Sequence, residues 1–501
     1  MRLTTFRPTR TQYWTSIAMD KAQKNPLIES LGPYRELGEW PGLLEHNPLD
    51  EFPEAPTEAD RHDFLDGIDD RFAVTKTALR LASDIQSMIR AGYRERNPLR
   101  PECRRKLYKV ADLDGRFDIS APTFYSNSHC LIVSAITGMG KSLSVHRILS
   151  TLNQVIVHTQ NREAGWLKHT QIVHLTVKMS ETGSRGSFIN AVLYALDSLL
   201  GTDYYNGLKA ERNVGNRTVR VAQLLALHSV GLLVVEEMQA ENFMESRFKK
   251  ELNVFFLSIL SFGVPLLLIG NPRAFERLSE HKQTERRYYS YDPITLWPYD
   301  SATDRDWRDA IAPALWGYQV VDAADDYSDV VAKALWKYSG GVPGYAKQLI
   351  VESQRSILRR EEKRLSVDAL ERHFNNLASF RRFRPLITGL TTRNAALIAE
   401  GIDIPVEQFE QRWKAQGAAE SKPTKSSAPP ETPNVGDWSD YAGRKKKAAK
   451  SSSTRMKNKR SRAKTMQAGL DDDDIRRTNK LQDSLAKTMD ELEADDEPPE
   501  A

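Results

Sequence analysis

The stretch Ala135-Ile-Thr-Gly138-Met139-Gly140-Lys141-Ser142-Leu143 follows the apolar run Leu131 to Val133 and leads into a helix-like segment. It reads as strand, phosphate-binding loop and helix in sequence, the context that a P-loop requires. In such a loop the glycines let backbone N–H groups turn inward around phosphates, Lys141 reaches the terminal phosphates and the Ser142 hydroxyl meets Mg²⁺. A nucleoside triphosphate is the expected ligand, bound by Gly138, Met139, Gly140, Lys141, Ser142 and Leu143. The usual first glycine of the motif is replaced by Ala135, which is tolerable only where that position keeps φ below zero.

Outward from this loop, residues 128–298 alternate apolar runs with helical stretches, the pattern of an α/β unit built on a parallel sheet. Strands are predicted at 131–135, 154–158, 171–177, 231–236 and 264–269, with helices at 141–151, 187–200, 216–229 and 244–261. Beyond Pro298 helical periodicity alone remains, at 304–316, 327–338, 343–359, 366–379 and 392–400, which argues for a small helical domain ending near residue 400. Before the core, Ala78, Leu81, Ile85, Met88 and Ile89 recur at helical spacing and predict a helix over 74–91 stopped by Gly92. The division expected is an N-terminal arm (1–100), the α/β core (101–300), the helical region (301–400), and a linker with a charged tail (401–501).

A P-loop alone does not distinguish hydrolases from kinases or switches. Leu232-Leu-Val-Val-Glu236-Glu237 adds a core strand ending in paired carboxylates, the layout of a Walker B motif. Glu236, standing where Asp is usual, is placed to hold the Mg²⁺ hydration shell, and Glu237 to orient an attacking water. Val264-Pro-Leu-Leu-Leu-Ile-Gly-Asn271-Pro272 is a second core strand ending in a polar side chain; Asn271 is either a γ-phosphate sensor or a plain turn former before proline. Arg286 and Arg287 are either fingers for a neighbouring subunit's γ-phosphate or surface cations. Lys347, in Gly340-Gly-Val-Pro-Gly-Tyr-Ala-Lys347, is the candidate second sensor.

Together these motifs resemble an AAA+ ATPase. The likeness is more specific: Asn25-Pro-Leu-Ile-Glu-Ser-Leu31, Met88-Ile-Arg-Ala-Gly-Tyr-Arg-Glu-Arg-Asn-Pro98, Gly140-Lys-Ser-Leu-Ser-Val-His-Arg-Ile-Leu149, Gly231-Leu-Leu-Val-Val-Glu-Glu-Met-Gln239 and Gly263-Val-Pro-Leu-Leu-Leu-Ile-Gly-Asn-Pro-Arg-Ala274 resemble TnsC, the regulator ATPase of Tn-type cut-and-paste transposons, and its relative TniB. The resemblance spans residues 25–300. It implies ATP and Mg²⁺ as cofactors and a homo-oligomer that wraps duplex DNA. The implied partners are a target selector of the TnsD/TniQ type and transposase subunits of the TnsA/TnsB type, with hydrolysis disassembling the oligomer. Lys178 and Arg185, in the Gly/Ser loop after the second core strand, are candidates for DNA phosphate contacts or ordinary loop charges. Two other readings carry different tests: a signalling or antiviral switch without DNA, separated by ATP-dependent duplex binding, and a small-molecule kinase, separated by phosphate release without an acceptor.

Composition sets the remaining bounds. The 501 residues carry a net charge of only +4, but the charges segregate at the tail. Residues 444–464 hold eleven Lys or Arg and no acid, whereas 471–501 hold twelve acids against four bases. Such blocks are disordered by composition and serve as interaction tails, the basic one suited to phosphate backbones. Trp438 and Tyr441 near the end of the Ser/Pro-rich linker are candidate anchors for a partner. Two cysteines, Cys103 and Cys130, provide neither a disulfide framework nor a metal set. With no signal-like start and no run near ~18 apolar residues, a soluble cytoplasmic protein without membrane contact is expected.

Overall fold

The computed structural model describes residues 24–111, 129–276, 286–399, 401 and 404–420. Met1–Ala419 forms one unit and Glu420–Ala501 a second; the described elements lie in the first, save the last residue of its final helix. The tail blocks, Trp438 and Tyr441 lie outside the described residues.

Among the described residues, seven strands form: β1 (Cys130–Ala135), β2 (Val155–His158), β3 (His169–Ile172), β4 (Leu175–Lys178), β5 (Leu233–Met238), β6 (Leu266–Gly270) and β7 (Ile294–Leu296). Five make one sheet in the order β4-β5-β6-β1-β7, every pairing parallel. Alternate residues of the central strands face opposite sides. Leu131, Val133, Val234, Leu267 and Ile269 enter one core and Ile132, Leu233, Val235, Leu266 and Leu268 another. Burial on both faces is why these strands are continuous apolar runs.

Helices cover both faces. On the first core lie α2 (Lys76–Glu95) and α4 (Lys141–Leu149), whereas α1 (Glu58–Asp66) sends Leu65 into the core of the later helical region and α3 (Pro101–Ala111) packs Val110 with Ala222 and Ala226 of the helix at 214–227. The opposite face is covered by α5 (Arg185–Leu200), α6 (Val214–Leu227) and α7 (Lys249–Ser261). Helix α2 starts where Thr75 accepts a hydrogen bond from the Ala78 N–H, and buries the predicted stripe of Ala78, Leu81, Ile85, Met88 and Ile89. It does not stop at Gly92 but continues to Glu95. A Cβ at Gly92 would stand 2.6 Å from Pro265 Cγ, so this glycine allows close approach to the start of β6 rather than ending the helix.

Three further differences have local causes. The segment 154–158 forms no part of the parallel sheet; β2 pairs antiparallel with β3 in a separate hairpin, Val155 opposite Ile172 and His158 opposite His169. The predicted strand 171–177 is divided at Val173–His174, its first part serving that hairpin and its second pairing with β5. Strand β7, not predicted, has three residues, too few to give a periodic signal.

After the sheet come α8 (Asp329–Ser339), α9 (Pro343–Leu358), α10 (Val367–Asn376), α11 (Arg384–Thr392) and α12 (Val406–Glu420). Their core includes Trp307, Trp316, Tyr318, Leu335, Leu349 and Phe380. The N-terminal segment splits between the two bodies: α2 packs on the sheet, while Leu65 of α1 and Ile68 join the helical core. Burying two such side chains contributes about 1.5–3 kcal/mol each. Arg61–Asp322 (2.8 Å), Arg355–Asp66 (2.7 Å) and Lys347–Asp69 ion pairs line the same joint, adding little because they are partly exposed. Helix α12, beyond the predicted end near residue 400, is anchored by Phe409 edge-on to Trp297 at 4.9 Å and by an Arg412–Asp300 ion pair.

Candidate functional site

At the carboxyl end of β1 the chain turns through Ile136–Gly140 into α4. Gly138 (φ 88°) and Gly140 (φ 78°) take the left-handed conformation, which glycine adopts without the Cβ penalty. Ala135 is the last residue of β1 and is not among the described non-glycine residues with positive φ, so its side chain meets the condition set by the sequence. Gly140 caps α4, placing Lys141, Ser142 and Leu143 in the first helical turn, where the N–H groups of a helix start and the helix dipole favour anions. The helical region closes on this loop. The Gly344 N–H donates to the Gly138 carbonyl at 2.9 Å, and a Cβ on Gly138 would lie 2.9 Å from Val342 Cγ1.

Beside the loop is a cavity of about 670 Å³, lined by Gly138, Met139, Gly140, Leu143, the Thr295–Asp300 segment, Lys347 and Arg412 among others. Its size falls within the range of about 300–1,000 Å³ usual for small-molecule sites. Lys347 reaches the cavity from α9 while paired with Asp69. Arg412 stacks over the Trp297 ring at 5.2 Å.

The paired carboxylates end β5, with different surroundings. Glu236 is 4% exposed, and His146 Nε2 of α4 stands 2.9 Å from its Oε1 in an ion contact short of an aligned hydrogen bond. That contact joins β5 to α4, the helix that follows β1, with β6 lying between the two strands in the sheet. The Glu236 carboxylate raises the His146 pKa against the opposing effect of burial. Glu237 is exposed and has φ 59°, an uncommon conformation for a residue with a Cβ. The cause is a β-bulge: Val235 pairs with Leu268 but Met238 with Gly270, so two residues oppose one and the Glu237 side chain is re-aimed.

A buried carboxylate oxygen without an aligned hydrogen-bond donor, next to a loop whose glycines open their N–H groups, fits Mg²⁺ with a triphosphate. Ser142 and Glu236 would hold the ion, which usually keeps few protein ligands and completes its shell with water and phosphate oxygens.

The other predicted residues are distributed unevenly. Asn271 is buried beside β5, its N–H donating to the Met238 carbonyl at 2.8 Å. Its Oδ1 accepts from the Arg273 N–H at 3.1 Å, so the turn-forming role is present and the amide Nδ2 is the group left for sensing. Arg287 Nη1 donates to Ser261 Oγ at 3.3 Å, at the end of α7 that leads into β6, opposite the phosphate loop; Arg286 beside it is exposed. Neither reaches its own chain's phosphate loop. Lys178 lies next to Glu236 in the β4–β5 register, at the same edge of the sheet as the carboxylates. Arg185 begins α5 with Nε 3.6 Å from Glu251 Oε2 and is 24% exposed. His146 was not singled out from the sequence, although it stands four residues after Ser142 and so shares its helix face.

Residues 125–278 match the family model for the AAA domain, a segment that contains the phosphate loop, both carboxylates and Asn271. Among solved structures the chain is similar to the Aeropyrum pernix Orc1 protein in complex with DNA, at 18% identity over 65% of this chain and 82% of that one, with a TM-score of 0.37. It is similar to the Drosophila ORC bound to DNA at 11% identity, covering 82% of this chain and 92% of that one, TM-score 0.31. The Thermotoga maritima RuvB Holliday junction branch migration motor matches at 15% identity over 63% and 86%, TM-score 0.30. No curated protein matches the sequence. Residues 125–278 form an AAA+ ATPase domain, and the chain carries the AAA+ P-loop fold, a five-stranded parallel sheet followed by a helical region.

Proposed function

We propose that the protein is an ATP-hydrolysing regulator of DNA transposition that assembles on duplex DNA in its ATP form and disassembles on hydrolysis. The observation that carries the ATPase half is the His146–Glu236 contact, which joins the helix that follows the phosphate loop to the first of the paired carboxylates. Here Gly138, Gly140 and Lys141 bind the phosphates, Ser142 and Glu236 hold Mg²⁺, and Mg²⁺ neutralises charge on the β- and γ-phosphates when bound. Glu237 takes the proton of the attacking water, with Asn271 orienting the γ-phosphate. Arg286 and Arg287 serve a neighbouring subunit's site, a role that their position away from their own phosphate loop supports.

The DNA half rests on the resemblance of residues 25–300 to TnsC and TniB and on the eleven cations of 444–464, suited to phosphate contacts without sequence preference. Lys178 and Arg185 are further candidates, each already beside a carboxylate. A target selector of the TnsD/TniQ type and a transposase, met through the tail, are the partners, and the cytoplasm is the setting. Phosphate release from ATP without an added acceptor, lost in Glu237→Gln while ATP binding persists, tests the chemistry; turnover unchanged in that variant would place the general base elsewhere.

A further inference from the structure

The strained backbone at Glu237 is held by a buried amide. Asn242 lies in the helical turn Ala240–Met244 that follows β5 and is 6% exposed. Its Nδ2 donates to the Glu237 carbonyl at 2.8 Å, and its Oδ1 accepts from the Gln239 N–H at 2.9 Å. A carbonyl only accepts and a peptide N–H only donates, so this pair of contacts fixes which way the amide faces. One side chain thus ties together the residues on either side of Met238, where the bulge forces Glu237 to φ 59°. Left-handed geometry at a non-glycine residue persists only where its surroundings over-determine it.

We infer that Asn242 is a positioning residue for hydrolysis, setting where the Glu237 carboxylate stands; the inference rests on the ATPase reading above. The loop Met179–Ser184 buttresses the same turn. The Met179 N–H donates to the Glu236 carbonyl at 2.8 Å. Gly183 (φ 63°) fits so closely that a Cβ would stand 2.2 Å from the Asn242 carbonyl oxygen and 2.7 Å from Ser246 Oγ. A contact made to this loop, between Lys178 and Arg185, therefore bears directly on the turn that aims Glu237.

The test uses the full chain with Asn242→Asp, Glu237→Gln and the double variant. Asn242→Asp keeps the size and the acceptor for Gln239 but removes the donor to the Glu237 carbonyl. The expected result is a fall in kcat of about 10- to 100-fold, with affinity for a fluorescent ATP analogue within about twofold of the parent, the mark of an interaction made in the transition state. Faster hydrogen exchange at the amides of 236–240 should accompany it. The double variant should be no slower than Glu237→Gln, because both changes act through one carboxylate. Loss of analogue binding together with kcat, or additive losses in the double variant, would overturn the inference by making Asn242 a general prop of the fold. If Glu237→Gln abolishes turnover and Asn242→Asp leaves kcat unchanged, the ATPase reading stands and the positioning role fails. If Glu237→Gln itself turns over normally, the general base lies elsewhere and the positioning role fails with it, while ATP hydrolysis stands.

Discussion

Two glycines of the phosphate loop share a conformation but not a neighbourhood, and that difference predicts how each tolerates alanine. At Gly140 (φ 78°) a Cβ would meet nothing within 4 Å. Gly140→Ala therefore costs only the left-handed backbone penalty of about 1–2 kcal/mol. Read as the affinity for a fluorescent ATP analogue, this is a loss of about 5- to 30-fold, because the loop must hold this backbone for its N–H groups to converge on the phosphates. At Gly138 (φ 88°) the new Cβ would also lie 2.9 Å from Val342 Cγ1. Val342 is fully buried where α9 begins, so overpacking adds about 1–3 kcal/mol. Gly138→Ala should thus weaken binding more than Gly140→Ala. Val342→Ala should recover the excess in the Gly138→Ala background, with a coupling of about 1 kcal/mol or more, yet add independently to Gly140→Ala. Equal losses at the two glycines, or no coupling to Val342, would refute the claim that the helical region seats on the phosphate loop.

Three other outcomes are expected. Glu237→Gln should bind ATP and hydrolyse it slowly, by a factor of about 10²–10⁴ for loss of a general base, measured by phosphate release. Folding stability should fall on acidification: burial, aided by neighbouring histidines, pushes His169 and His174 down to about 4, whereas they titrate near 6.5 when unfolded. Between those values the unfolded chain binds more protons, so stability drops as pH falls, by about 2 kcal/mol per histidine at pH 5. His146 acts oppositely, since its raised pKa lends stability at low pH that is lost as pH rises, and it is too exposed to offset the others. Denaturation at pH 7.5 and 5 should show the drop, and His169→Gln should lessen it. Deleting residues 421–501 should spare ATP binding while weakening DNA or transposase engagement, read by pull-down and filter binding; lost ATP binding would show that the tail supports the core.

The central strands and the phosphate loop were legible in the sequence because a strand buried on both faces leaves no polar gaps. The same rule misled at Val155-Ile-Val-His158, which reads as a core strand yet is only half-buried in a hairpin. Gly92 read as a helix stop because the proximity of Pro265 is tertiary. The types and order of Lys141, Ser142, Glu236 and Glu237 were apparent from motif spacing. The contacts that His146 makes with Glu236 and Asn242 with Glu237 were not, because they depend on which helix face meets β5 and on a bulge that no periodicity announces. The Asp69–Lys347 and Arg412–Asp300 pairs join residues 278 and 112 positions apart, beyond the reach of local pattern.

The most direct test of the proposed function is electron microscopy of the purified protein with duplex DNA under ATP, under ADP and as Lys141→Ala. Ordered rings or filaments on DNA with ATP, and not in the other two conditions, are the expected result. Absence of DNA binding in every nucleotide state would contradict the transposition-regulator reading and leave a nucleotide switch that controls protein contacts.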